Sequence, residues 1–173
     1  MSLLPRFKEI STFVFDVDGV LTDGTLWIYD DGQMVRRMNI KDGYALQLAI
    51  KKGYRVLVIS GGTSEAVKQR LFKLGIQDVY LKVENKTEVL EQYCQQNKIP
   101  RTEVLYMGDD IPDYAVMKQA GLCCAPADAA VEIKHIAHYI SRIRGGQGCV
   151  REIIEKVMKL RGDWDIDTTV SSK

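Results

Sequence analysis

Three carboxylates, Asp16, Asp18 and Asp23, crowd the end of an apolar run in "FVFDVDGVLTDG" (residues 13–24), and a second acidic group, Asp109, Asp110 and Asp113, follows "VLYM" in "GDDIPD". A carboxylate placed at the edge of a core is costly unless a cation or hydrogen-bond donors meet it. Between the two groups the chain offers Ser60, Gly61 and Gly62 at the end of "RVLVIS", and Lys86 at the start of "KTEVLEQYCQQN". Carboxylates in excess, one ammonium and one hydroxyl suit Mg²⁺ and a phosphate. Mg²⁺ takes a few carboxylates together with waters and phosphate oxygens, and it relieves the repulsion among Asp16, Asp109 and Asp113. A phosphate monoester dianion resists an anionic nucleophile, so the metal and Lys86 must neutralise it before a carboxylate attacks. Ser60 and the amides of Gly61 and Gly62 supply hydrogen bonds to the remaining phosphoryl oxygens.

Competing assignments of the same residues are weaker. A calcium loop also begins D-x-D, but its fifth, sixth and twelfth positions fall here on Val20, Leu21 and Trp27, none of which can serve. Asp23 reads as a turn residue. No Walker pattern is present, His135 and His138 read as structural, and the four cysteines lack metal-type spacing and read as buried reduced thiols.

The elements that must position these groups alternate. Continuous β-branched runs at "TFVFDV", "RVLVIS", "VYL" and "VLYMG", with weaker ones at "LCCA" and "HYI", predict buried parallel strands. Helical patterns fill the gaps: "GYALQLAIKKG" after a cap at Asp42, "SEAVKQRLFKLG" after Thr63 or Ser64, "KTEVLEQYCQQN" and "DYAVMKQAG". The fold class is α/β, a doubly wound parallel sheet, whose ligands lie at the carboxyl ends of the strands. A β-hairpin turning at Asp31-Gly32 interrupts the alternation at about residues 25–39. Residues 1–160 form one core domain, and the polar tail 161–173 is expected to be mobile or partner-dependent.

With 173 residues, 24 basic against 23 acidic and a net charge of +1, the composition fits one domain and argues against a nucleic-acid or membrane-surface binder. No apolar stretch reaches the length of a signal region or a spanning helix, so a cytoplasmic protein is expected.

Taken in order, D-x-D-G-x-L-T-D-G, a hydroxyl after a second strand, a lysine and G-D-D-x-x-D resemble the haloacid dehalogenase superfamily of phosphohydrolases, from Phe13 to about Ala125. The resemblance implies that Asp16 is the nucleophile forming an aspartyl-phosphate, and that Asp18 is the general acid and then the base. It further implies that Ser60, Gly61 and Lys86 bind the phosphoryl group. Mg²⁺ would be held by Asp16, Asp109 and the backbone carbonyl of Asp18, with Asp110 and Asp113 supporting the metal waters or Lys86. No cap domain fits between Asp18 and Ser60 or between Lys86 and Asp109.

"DVDGVLTDG", "NIKDGYALQ", "GDDIPDYAVMKQAG" and "RIRGGQGCVREI" are similar to the capless 3-deoxy-D-manno-octulosonate 8-phosphate phosphatase family and its relatives acting on nine-carbon sialic-type acid 9-phosphates. That similarity implies a phosphorylated sugar-acid substrate feeding lipopolysaccharide assembly. It also implies a homotetramer in which the hairpin and the tail meet a neighbour's active site. Asn39, Ile40, Lys41, Asp42, Gly43 and Arg70 match substrate contacts, while two family arginines fall on Gln47 and Gly62. Arg70, Arg144 or Lys41 could make up the missing charge.

Overall fold

The computed structural model describes residues 3–173. Its strands are β1 (Thr12–Phe15), β2 (Trp27–Ile28), β3 (Met34–Val35), β4 (Arg55–Ile59), β5 (Asp78–Tyr80), β6 (Val104–Met107), β7 (Leu122–Ala125) and β8 (Tyr139–Ile140). The helices are α1 (Leu4–Glu9), α2 (Ile40–Lys51), α3 (Glu65–Lys73), α4 (Lys86–Asn97), α5 (Tyr114–Met117), α6 (Val131–Ile136) and α7 (Cys149–Arg161). Six strands pair in parallel in the order β5-β4-β1-β6-β7-β8, with β1 at the centre between β4 and β6. Because helices cover both faces, the central strands are apolar throughout rather than alternating. Phe13 and Phe15 enter the layer built with α2, α3 and α7, while Val14 enters the layer built with α4, α5 and α6.

The sequence expectations omit α7. Its buried Val150, Ile153, Ile154, Val157 and Met158 recur at helical spacing and pack on α2 and α1, so the periodicity that marks it was present in the chain.

The cap of α2 also differs. Asn39, not Asp42, accepts the hydrogen bond from the Lys41 amide (2.8 Å). Asp42 lies in the first turn, buried, and accepts from the Arg151 amide (2.8 Å) at the start of α7. Since Gly148 has no side chain to cap α7, Asp42 does so from a neighbouring helix.

The tail is laid along its own chain rather than loose. Asp163, Asp165 and Asp167 alternate in an extended segment and meet Tyr54 (2.5 Å), Lys52 (2.6 Å) and Lys51 (2.5 Å). Trp164 packs edge-on against Tyr44, with Arg151 over both rings. A period of two puts the three carboxylates on one side of the segment, where one row of donors can take them all.

The hairpin β2-β3 stands off the sheet. Its base is tied down by a bridge between Thr22 and Met38 and by the Arg37–Asp23 pair (2.7 Å), but Trp27 and Ile28 are 65% and 71% exposed. Only Gly32 of the turn is left-handed (φ +85°). All four cysteines are free and buried, and His138 accepts from the Cys123 amide (3.0 Å). No helix among the described residues is long and apolar enough to cross a membrane.

Candidate active site

The carboxyl ends of β1, β4 and β6 share one rim. Asp16 continues β1, its amide donating to the Met107 carbonyl (3.2 Å). Its Oδ1 accepts from the Val17 amide (2.7 Å) and its Oδ2 lies 3.0 Å from Lys86 Nζ. The chain then makes a wide turn, Val17–Leu21, in which Gly19 has φ +85°. A side chain at Gly19 would overlap the Asp109 carboxylate, so glycine is needed there for space as well as conformation.

Lys86 opens α4 and is buried between two carboxylates, with Asp113 Oδ1 at 2.8 Å on the other side. Asp113 Oδ1 also accepts from the Tyr106 hydroxyl (2.8 Å), and Oδ2 from the Asp109 amide (3.1 Å). Both oxygens of Asp113 are therefore engaged by the protein; it fixes Lys86 and the Asp109 backbone. Tyr106 was missed in the sequence, where a tyrosine in a buried strand looks like packing alone.

Oxygens of Asp16, Asp109 and Asp113 lie within 4.8 Å of one another. Burial, then the neighbouring carboxylates, push Asp109 up to about 8. Burial and Asp113 push Asp16 up to about 7 against the pull of Lys86. Burial works to lower Lys86, but Asp16 and Asp113 outweigh it and hold the ammonium above its ordinary value. Asp109 Oδ1 is buried with no hydrogen-bond partner among the described residues. An orphaned carboxylate oxygen beside a second carboxylate that is short of positive charge fits a divalent cation.

Asp16, Lys86 and Asp109 line a cleft of about 420 Å³ with Asp18, Ser60, Gly61 and Gly62. Ser60, buried at the end of β4, accepts from the Gly62 amide (3.0 Å). Asp110 is exposed and accepts from the Ile111 amide (2.8 Å). Arg36, which no sequence signal picked out, reaches from the hairpin to Asp18, with Nε 2.6 Å from Oδ1.

Beyond Arg36 a groove of about 680 Å³ runs between the hairpin and α3, lined by Met38, Thr63, Ser64 and Arg70. The Arg70 guanidinium has no carboxylate partner among the described residues, and burial holds it below its ordinary value. A Cβ on Gly43 would stand 3.0 Å from Arg70 Nη2, so this glycine makes room for the arginine.

The other sugar-contact positions divide. Ile40 and Lys41 are exposed, and Asn39 Nδ2 donates to the Gly146 carbonyl (3.4 Å). Asp42 is turned into the α2–α7 interface, away from the cleft, because the start of α7 needs its carboxylate. Gln47 faces the tail, donating to the Ser171 carbonyl (3.0 Å). The loop 145–148 braces the site from behind: the Gly146 amide donates to the Val20 carbonyl (2.9 Å), and Gly145 lies directly on Gly19.

A family model described as haloacid dehalogenase-like hydrolase matches residues 75–153. The 3-deoxy-D-manno-octulosonate 8-phosphate phosphatase KdsC of Escherichia coli K12 is 32% identical over 94% of this chain and 87% of its own length. The chain belongs to the haloacid dehalogenase-like hydrolases, in this phosphatase branch. The crystal structure of the Yersinia pestis 3-deoxy-D-manno-octulosonate 8-phosphate phosphatase superposes on this hydrolase with a TM-score of 0.91 at 31% identity, covering 93% of this chain and 87% of the other. The Moraxella catarrhalis phosphatase, in complex with magnesium ion, phosphate ion and KDO, gives 0.90 at 28% identity, covering 93% and 92%. In keeping with that likeness, the described residues form a six-stranded parallel sheet with flanking helices and include no cap domain.

Proposed function

We propose that this hydrolase releases phosphate from 3-deoxy-D-manno-octulosonate 8-phosphate, with Asp16 as nucleophile and Asp18 as proton carrier. The observation that carries this reading is the Asp16–Lys86–Asp113 array beside the orphaned oxygen of Asp109, with the unpaired Arg70 in the adjoining groove. Lys86, the Ser60 hydroxyl and the Gly61 amide would hold the phosphoryl oxygens, the Gly62 amide being engaged with Ser60. Asp16 attacks phosphorus as the ester P–O bond breaks, and Asp18 gives its proton to the leaving alkoxide. Asp18 then takes a proton from the water that attacks the aspartyl-phosphate, releasing inorganic phosphate and restoring Asp16. Asp16, Asp109 and the Asp18 carbonyl would hold Mg²⁺, which when bound neutralises phosphoryl charge.

Arg70, which lines the groove, would meet the substrate carboxylate, and the substrate named for the relatives supports the eight-carbon ester over a nine-carbon one. The free keto acid would supply lipopolysaccharide assembly in the cytoplasm. The apolar hairpin, with Trp27, Ile28 and Met34 exposed, supports a homo-oligomer, read here as a tetramer, since such a patch is a liability on a monomer; light scattering on the intact chain tests it.

A panel of sugar phosphates tests the substrate, with kcat/KM highest for the eight-carbon acid ester. Arg70→Ala should raise KM for that ester by roughly 10- to 100-fold, the worth of a charge-assisted hydrogen bond, and leave 4-nitrophenyl phosphate unchanged. Equal turnover of simple hexose phosphates would overturn the assignment.

The carboxylate shifts give a second test. Asp16 and Asp109 have folded values of about 7 and about 8 against an ordinary 3.8, so through this window the unfolded chain binds fewer protons than the folded one. Metal-free protein should therefore lose stability as pH rises from about 4 to about 8. Because Mg²⁺ replaces those protons, its stabilisation should grow over the same range. Thermal melts with and without Mg²⁺ at about pH 5 and about pH 8 read this; a Tm gain that is equal or larger at the lower pH would remove these carboxylates as the metal site.

A further inference from the structure

We infer that Arg36 is a positioning residue for Asp18, fixing at the cleft the carboxylate that carries the proton to the leaving group; the inference rests on the proposed phosphatase reading. Arg36 follows β3, on a hairpin whose other large side chains mostly face solvent, yet its own side chain is only 8% exposed. Its Nε lies 2.6 Å from Asp18 Oδ1 and its Nη2 3.2 Å from Oδ2, while Nη1 donates to the Met34 carbonyl (3.2 Å). All three guanidinium nitrogens are engaged; Nε keeps Oδ1 close, while the longer contact of Nη2 with Oδ2 is the one that yields when that oxygen carries the proton. A paired fork of this kind sets orientation as well as attraction.

Asp18 has nothing else to orient it. Its side chain is 37% exposed, and its carboxylate has no other partner among the described residues. Without Arg36 it would be free to sample several rotamers at the mouth of the cleft. A Cβ on Gly62 would crowd Asp18 Oδ2 and Ser60 Oγ, each at 3.3 Å, so glycine there leaves room for the Asp18 carboxylate that Arg36 holds.

An ion pair that merely anchors the hairpin would look similar, but its loss would act equally on every substrate. A residue that aims the proton donor acts in proportion to how much the leaving group needs the proton. Phenyl phosphate and 4-nitrophenyl phosphate separate the two cases, because they differ only by a para nitro group, carry the same charge and lack the carboxylate that Arg70 would meet. Only the phenolate of the first is a poor leaving group. With the intact chain and Mg²⁺, Arg36→Gln should lower kcat/KM for phenyl phosphate by roughly 30-fold or more, a large part of what acid catalysis contributes, but by less than about threefold for 4-nitrophenyl phosphate. Arg36→Lys, keeping the charge without the fork, should recover part of the loss, and Tm should show that both variants fold. Equal losses on the two esters, an unchanged rate on phenyl phosphate, or a lysine variant no better than glutamine would overturn the role of Arg36 while the parent's activity leaves the phosphatase reading standing. A parent inactive on both esters and on the sugar-acid phosphate would overturn both.

Discussion

Asp16→Asn should abolish phosphate release, by on the order of 10⁴-fold or more, as expected when a nucleophile acting within a catalytic unit is removed. The amide is nearly isosteric, and its oxygen can keep the hydrogen bond from the Val17 amide (2.7 Å). What it loses is the charge that attacks phosphorus. The fold should not suffer, because Asp16 is held in the core at a cost: burial and Asp113 both oppose its ionisation. Removing one carboxylate from that cluster relieves repulsion, while Lys86 retains Asp113 at 2.8 Å. Metal-free Asp16→Asn should thus melt at or above the parent temperature near pH 8, the stability gained when a strained functional group is removed. Phosphate release within about tenfold of the parent at saturating Mg²⁺ would sink the nucleophile assignment, since a carboxamide cannot form the aspartyl-phosphate.

Gly145→Ala should damage both stability and turnover, although the residue touches no substrate. A Cβ there would overlap the carbonyl oxygen of Gly19 and stand 3.1 Å from that of Thr22, so backbone rather than a flexible side chain must give way. Overpacking of a tight core costs about 1–3 kcal/mol and occasionally more. Here the strain has a direction, because Gly19 is packed on the Asp109 carboxylate on its other side. Displacing the turn moves the carbonyl of Asp18 and the carboxylate of Asp109 relative to Asp16, and a shift of about 1 Å in a reacting constellation can cost about 100-fold. Gly53→Ala is the control: φ is +89° but nothing lies within 4 Å, so it should lower Tm by the backbone strain alone and leave kcat intact. If Gly145→Ala retains parental activity and Tm, the loop 145–148 does not brace the catalytic turn.

The sequence by itself determined the sheet and the ends of its strands. Short, continuous, β-branched runs bounded by polar or glycine punctuation read as buried strands, and the polar residues that stop them, Asp16, Ser60 and Asp109, then share a rim because parallel strands end on the same side. Lys86 was legible because it starts a helical pattern after the third strand and falls in order between Ser60 and Asp109, and it does open α4. These signals are local, written in the period of side chains and in the caps next to them.

What only the tertiary structure decided are the contacts between distant parts of the chain. Asp42 looked like a cap for its own helix because it stands just before the apolar periodicity, and like a sugar contact by resemblance to the family; the approach of α7 made it the cap of a helix 109 residues away. The tail looked unattached because its carboxylates are polar, and found partners on α2 because an extended segment happens to pass Lys51 and Lys52. Arg36 and Tyr106 carry no pattern that separates them from a surface arginine and a core tyrosine. Their roles come from where the hairpin folds over β1 and where β6 meets the Asp113 turn, and side-chain polarity acquires its meaning there only once packing has removed the water.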